Sequence, residues 1–501
     1  MTDVLNPGPD KRRAFRVEPH GTQHIPDAER LSCCRDLRAI LVGGSLTFSV
    51  IIIGAFPIAF GLSWWQAVSA IVVGSALGAA FLAPTGIVGP RTGTTNPVSS
   101  GAFFGVAGRL IGSVLEAAGS LIFAALSIWT GGDALAGAIE RFAGTTDSDW
   151  ARPVSYAVIA AVVTAVSVLG HGSMVMVQRV MIPTAGVCMV VGLFVYAGDF
   201  SPGFTGTGQY MLGSPAAAWC VSMILCASTI ASYGPYTGDW TRHISPSRHG
   251  DTAIMRTLFL GALLGLGGPF IWGAYIAVCL SRSGSADPSA TFVLDLAHGC
   301  PLWFLPAVVF LGLGSGTAQA VINTYGTGLD TSSIIPRLSR PKATFVACLM
   351  ATGLVYAGHY YTALVTWMST LLTLLANLAI PWIVILCIGH AAVKGRYTVD
   401  DLQVFNRGEK GGAYWFWHGF DVATTTIWVF ASAIGLLFAN NAWYTGPGAQ
   451  MLNGIDVGFL VAAAVTGALY WGLTRRRAAR RPATDPRRPV DAPAVRSSEH
   501  I

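Results

Sequence analysis

Twelve stretches of about 20 predominantly apolar residues recur along this 501-residue chain, each of the length an α-helix needs to cross a bilayer. They lie near 37–60, 65–87, 110–138, 153–170, 177–198, 215–236, 254–280, 302–325, 343–358, 361–390, 421–439 and 456–474. The stretches leave no room for a soluble domain, and only 11% of residues are charged where soluble domains carry about 25%. Lipid must therefore replace water over most of the surface. The 59 glycines fit this reading, because small residues let spanning helices approach closely. The expected fold class is an all-α polytopic membrane protein. Residues 1–35 read as a polar cytoplasmic tail, 36–475 as the transmembrane domain and 476–501 as a disordered basic tail.

Charge placement sets an expected orientation. With both termini in the cytoplasm, the inner loops carry thirteen Lys and Arg and the outer loops only Arg141, Arg152 and Arg282. This is the positive-inside pattern for an even number of spans, and it predicts a multi-pass protein of the plasma membrane. The net charge of +6 gathers at the ends and in alternate loops. Such tails face anionic lipid; the interleaved basic and aromatic surface that single-stranded nucleic acid requires is missing. Nine cysteines are mostly scattered through apolar segments and fit no metal spacing. The mixed polar N-terminus does not read as a signal peptide.

Irregular backbone at membrane depth is tolerated only around a cavity, and transporters place such breaks at matching positions of two repeats. Span 1 carries Gly43, Gly44 and Ser45 within an apolar run, and span 6 carries SYGPYT at 232–237, where Pro235 removes a backbone donor. The two spans are five apart, as expected if spans 1–5 and 6–10 form an inverted repeat with 11 and 12 outside it. In span 3, Phe123 and Ser127 share a face, so a ring and a hydroxyl could meet a flat heterocycle; packing and back-bonding to the helix is the plainer alternative. In span 8, Ser315, Gln319 and Asn323 repeat every fourth residue, with Thr317 nearby. That polar stripe must face other helices or a watery cavity. Its hydroxyls suit an alkali cation, and its amides both donate and accept, which suits a nucleobase edge. Glu116, Asp133 and Asp239 are carboxylates near membrane depth; each could relay a proton or lie at an interface, and Asp239 beside Arg242 points to a gating or structural role.

These pieces, in order, resemble the nucleobase:cation symporter family in its purine–cytosine permease branch. The resemblance runs over roughly residues 30–475. It is carried by APTGIVGPRTG (83–93), IFAALSIWTGGDAL (122–135), SYGPYTGDWTRHISP (232–246), NTYGTGLD (323–330), AIPWIVILCIGHAAVKGRYTVDDL (379–402) and GGAYWFWHGFD (411–421). It implies a LeuT-type fold with a site at mid-membrane between spans 1, 3, 6 and 8. It implies import of cytosine, a purine, allantoin or a hydantoin by cation symport with alternating access, and no cofactor. Phe123 stands where the family usually has a stacking Trp, and Ser127 where an amide is commoner. Tyr233 is then the facing ring, with Phe48, Ser49, Ser232 and Gly234 beside it and Gln319 or Asn323 on the substrate edge. Carbonyls of Ser45 and Phe48 with the oxygens of Ser315 and Thr317 would hold a sodium ion. Ala318 follows Thr317, so the family's adjacent hydroxyl pair is incomplete, and both Na+ and H+ stay open as coupling ion. A carrier of another small solute, such as a vitamin or amino acid, is the alternative within this fold. A membrane enzyme lacks any nucleophile–base pair or metal cluster here, and a channel lacks a repeated filter.

Overall fold

The computed structural model describes residues 22–145, 149–169, 171–282, 291–335, 338–361, 364–441 and 443–480. Among them all regular structure is helical, with three isolated β-bridges and no strand. Seven helices are long and apolar enough to cross a membrane singly, and the pair Cys34–Ser45 and Phe48–Ala59, bent by 73°, makes an eighth. Pro183–Val195, Pro215–Ala231 and Val422–Leu437 are shorter apolar helices. Among the described residues each of the twelve expected stretches is largely helical, as expected of the LeuT-type fold, but some ends move. Span 5 runs His171–Val195, beginning ahead of the expected residue 177. Span 12 runs Gly458–Arg480, past the expected end of the membrane domain. Its last turn is held by Arg477, whose guanidinium donates twice to the Asp421 carboxylate, at 2.7 and 2.8 Å.

Residues 22–33 lie against the body of the protein. Ile25 N–H donates to the Gly93 carbonyl at 3.0 Å, Ser32 N–H to His243 at 3.0 Å, and the buried Arg30 to the carbonyls of Ile25 and Pro90 at 2.8 and 2.7 Å. This segment has few apolar residues to signal burial, and it is fixed through its backbone instead.

Two sets of spans pack mainly within themselves. Span 1 (Cys34–Ser45 and Phe48–Ala59), span 2 (Trp64–Thr92), span 6 (Pro215–Ala231 and Thr237–Thr241) and span 7 (Asp251–Arg282) form one. Span 3 (Leu110–Ala143), span 4 (Ala151–Leu169), span 8 (Leu305–Phe310 and Gly316–Ile334) and span 9 (Arg340–Tyr361) form the other. Within the first set, spans 1 and 7 meet backbone to backbone. A Cβ on Gly54 would collide with the Phe270 carbonyl, and one on Gly273 with that of Ile51. Glycine is what permits this approach. Span 10, Leu364–Ala392, and span 11, Val422–Leu437, pack beside span 12.

Candidate functional site

Both expected breaks are present, and they face the second set of spans. In span 1 the helix stops at Ser45. Leu46 (φ −80°, ψ 57°) and Thr47 (φ −137°, ψ 152°) leave helical geometry before the chain resumes at Phe48. In span 6 the helix stops at Ala231 and resumes at Thr237. Backbone groups freed at a break must find partners inside the protein. Asn96 answers this in span 6. Its Nδ2 donates to the Gly234 carbonyl at 3.0 Å, to Thr237 Oγ1 at 2.8 Å and to the Thr85 carbonyl at 3.2 Å. Asn96 opens the fully buried helix Asn96–Phe104 between spans 2 and 3. Its sequence signal is the Asn-Pro pair within the polar run TTNPVSS, outside the expected spans.

Span 8 has an irregularity with no counterpart in the sequence reading, a π-turn over Leu311–Ser315 that touches Phe48–Ile51. Such turns shift the carbonyl register and recur at functional sites. The structure thus brings together the two segments expected to hold a cation. Thr317 is buried and its hydroxyl donates to the Leu313 carbonyl at 2.5 Å, while that of Ser45 donates to Leu41 at 2.5 Å. The Ser315 side chain lies outside the described part of the structure. Phe48 is fully buried with its ring edge-on to Phe292, at 6.4 Å between centroids.

A hydroxyl ladder joins span 1 to span 3. Thr47 Oγ1 lies 3.4 Å from Ser49 Oγ, and Ser49 Oγ lies 3.2 Å from Ser127 Oγ. Ser127 spends its own proton on the Phe123 carbonyl at 2.8 Å. The protons therefore run from Thr47 to Ser49 to Ser127. Thr47 was not among the expected site residues, because its role depends on the break that turns it toward Ser49.

The rings of Phe123 and Tyr233 are in contact, with centroids 5.4 Å apart and planes tilted by 45°. A flat ring held between two others needs roughly 7–8 Å, two van der Waals separations. Admitting one here requires the two rings to part. Tyr233 also packs on Tyr236 at 5.8 Å and Trp240 at 6.4 Å. Gln319 Nε2 donates to the Tyr233 hydroxyl at 2.8 Å. One turn further on the same face, Asn323 is 2% exposed and its Nδ2 has no hydrogen-bond partner. An unpaired buried amide costs about 1–3 kcal/mol and invites a ligand acceptor.

Two further expected site residues make local contacts. The Ser232 hydroxyl donates to its own helix at Thr229, 2.7 Å away. Gly234 presses on Ile383 of span 10, where a Cβ would collide. Pro235 lies in the break as expected. Asp239 is buried beside Glu116 of span 3, while Asp133 takes a 2.8 Å hydrogen bond from the Tyr156 hydroxyl away from these breaks.

Comparison with known proteins bears on the fold and the family. The chain is 26% identical over 487 residues to a putative purine-cytosine permease, YxlA, of Bacillus subtilis (strain 168), covering 93% of this chain and 98% of that protein. MHP1, a nucleobase-cation-symport-1 family transporter solved in a closed conformation with bromovinylhydantoin bound, matches with a TM-score of 0.72. It is 18% identical, with 92% of this chain and 96% of that one covered. MhsT, solved in complex with L-phenylalanine, matches at TM-score 0.53 and 12% identity, over 87% of this chain and 99% of that one. These structural likenesses establish the fold. The family described as permeases for cytosine/purines, uracil, thiamine and allantoin matches residues 24–462, and this chain belongs to it: it is a multi-pass membrane permease.

Proposed function

We propose that this permease imports a nucleobase-type heterocycle (cytosine, a purine, allantoin or a hydantoin) across the plasma membrane together with a cation, by alternating access, with both termini in the cytoplasm. One observation carries the substrate class: the buried Asn323 amide has a donor to offer one turn from Gln319, whose own amide holds Tyr233 of the Phe123–Tyr233 ring pair. An amide edge matches the N–H and C=O groups of a nucleobase, and aromatic faces stack on its ring. The ligand would part Phe123 from Tyr233 and take its place between them. A hydantoin is in range because the fold matches MHP1 with bromovinylhydantoin bound. Alternating access is supported by a second match, to the inward-facing conformation of Mhp1, at TM-score 0.70 with 18% identity over 93% of this chain and 94% of that one.

The coupling cation is Na+ or H+. A sodium ion would sit where the span 1 break meets the span 8 π-turn, with carbonyls of Ser45 and Phe48 and hydroxyls of Ser315 and Thr317 around it. The deciding experiment is uptake of radiolabelled cytosine by cells expressing the chain. Adenine, hypoxanthine, uracil, allantoin and hydantoins serve as competitors, with and without sodium and with and without an inward proton gradient. Saturable uptake with competition by one class supports the reading. Absence of uptake and of competition by all of them overturns it.

A further inference from the structure

Beyond the ring pair, the seam between the two sets of spans buries a second group of polar side chains. Glu116 of span 3 is 1% exposed, Asp239 of span 6 is 2% and Asp330 of span 8 is 2%. Arg109, just before span 3, and Arg242, just after span 6, are fully buried alongside them. Gly326 of span 8 marks where they converge. A methyl group there would lie 3.4 Å from Ser120 Oγ, 3.5 Å from Asp239 Oδ2 and 3.7 Å from Glu116 Oε1. Fully ionised, three carboxylates and two guanidinium groups leave one net negative charge in a site closed to water. One proton makes the set neutral.

Glu116 is where that proton is missed. Neither of its carboxyl oxygens receives a hydrogen bond from an N–H or O–H donor. The Asp239 carboxyl is its neighbour, since both carboxyls lie against Gly326. Two carboxyl groups can bond to each other only when a proton lies between them. The other charged or titratable groups around this pair are Arg242 and Tyr236 from span 6 and Asp330 and Tyr325 from span 8, with Arg109 facing Asp330. Arg242 donates to the Tyr325 hydroxyl at 3.2 Å, and Arg109 to Asn406 Oδ1 at 2.6 Å while lying over the Phe405 ring. From span 10, Leu375 and Trp382 face this stretch of span 3 and carry no titratable group.

We infer that Glu116, paired with Asp239, is the site that takes up the coupling proton. This inference rests on the permease reading above and decides its cation. A proton from outside adds to one carboxylate oxygen, and the resulting O–H···O bond ties span 3 to span 6 across the seam. On the inner side the O–H bond breaks, the proton passes to water, and two adjacent anions push the spans apart. No electron changes hands. The link to substrate is physical. The Tyr236 hydroxyl donates to the Glu116 backbone carbonyl at 3.2 Å, and its ring packs on Tyr233. Parting Phe123 from Tyr233 therefore bears on the pair.

The test uses the full chain in proteoliposomes, with the heterocycle identified by the competition assay. In lightly buffered vesicles, substrate addition alkalinises the medium with wild type. Glu116→Gln loses at least about ten-fold in gradient-driven accumulation, within the usual range of a coupling energy. It keeps exchange of external for internal substrate, which requires no net proton movement. Asp239→Asn weakens accumulation in the same direction, and Glu116→Asp restores part of it. Wild-type uptake driven by sodium with no accompanying proton movement overturns the proton site and leaves the heterocycle reading intact. So does accumulation by Glu116→Gln equal to wild type. If Glu116→Gln fails to insert, the proton-uptake measurement on wild type still decides.

Discussion

Gln319 donates a 2.8 Å hydrogen bond to the Tyr233 hydroxyl and so ties the polar face of span 8 to the break in span 6. The two residues are 86 positions apart and both are buried. The bond also aims the Tyr233 ring at Phe123, which sets the angle of the aromatic pair.

Tyr233→Phe keeps that ring and removes the acceptor, leaving the Gln319 amide unpaired. A loss of about 1–3 kcal/mol is expected. Thermal unfolding in detergent registers it as a lowered Tm, and substrate affinity falls with it because the ring is no longer oriented. An unchanged Tm would mean that Gln319 has another partner ready.

Removing either ring tests stacking directly. Phe123→Ala and Tyr233→Ala each forfeit about 1–3 kcal/mol of base stacking, a weakening of roughly ten-fold for every 1.4 kcal/mol. Equilibrium binding of the labelled heterocycle measures it. Near-normal affinity in both variants would remove the rings from the site.

Asn323→Leu should act differently. The Asn323 Nδ2 has no partner to lose, so protein stability changes little, whereas substrate binding weakens by about the 1–3 kcal/mol of a lost buried hydrogen bond. A fall in Tm with unchanged affinity would make Asn323 a structural residue.

Asn96→Ala removes the contacts of Nδ2 with the Gly234 carbonyl and Thr237 Oγ1 at the span 6 break and with the Thr85 carbonyl of span 2. The Gly234 carbonyl keeps its 2.9 Å bond from the Thr237 hydroxyl, and with no water at this depth a cost of about 1–3 kcal/mol is expected. Transport is lost while the chain still reaches the membrane, measured by surface labelling beside uptake. Full transport in this variant would show that the break closes without it.

Asp421→Ala strikes a joint outside the site. Asp421 caps span 11 through Thr424 N–H at 3.1 Å and receives both nitrogens of Arg477. Losing the cap costs about 1 kcal/mol, and the last turn of span 12 frays. Hydrogen exchange at residues 475–480 rises, with little change in substrate affinity.

What local sequence determined here is what hydrocarbon demands of each segment separately. Segment length and apolarity located the spans, because a bilayer has one thickness. Gly43, Gly44 and Gly234-Pro235 marked the breaks, because a missing side chain or N–H is a property of the residue itself. The four-residue rhythm of Gln319 and Asn323 placed both on one face for the same reason. Tertiary structure decided what those faces meet. Thr47 joins a hydroxyl ladder only after the break turns it toward Ser49. Asn96 reaches Gly234 across 138 positions, Ser232 bonds back to its own helix and Gly234 presses on Ile383. Glu116 and Asp239 read from the sequence as separate acids, each able to relay a proton or to lie at an interface; packing spans 3 and 6 together makes them neighbours. Periodicity reports which side of its own helix a residue occupies; the partner on the other side is chosen by packing, which no local pattern encodes.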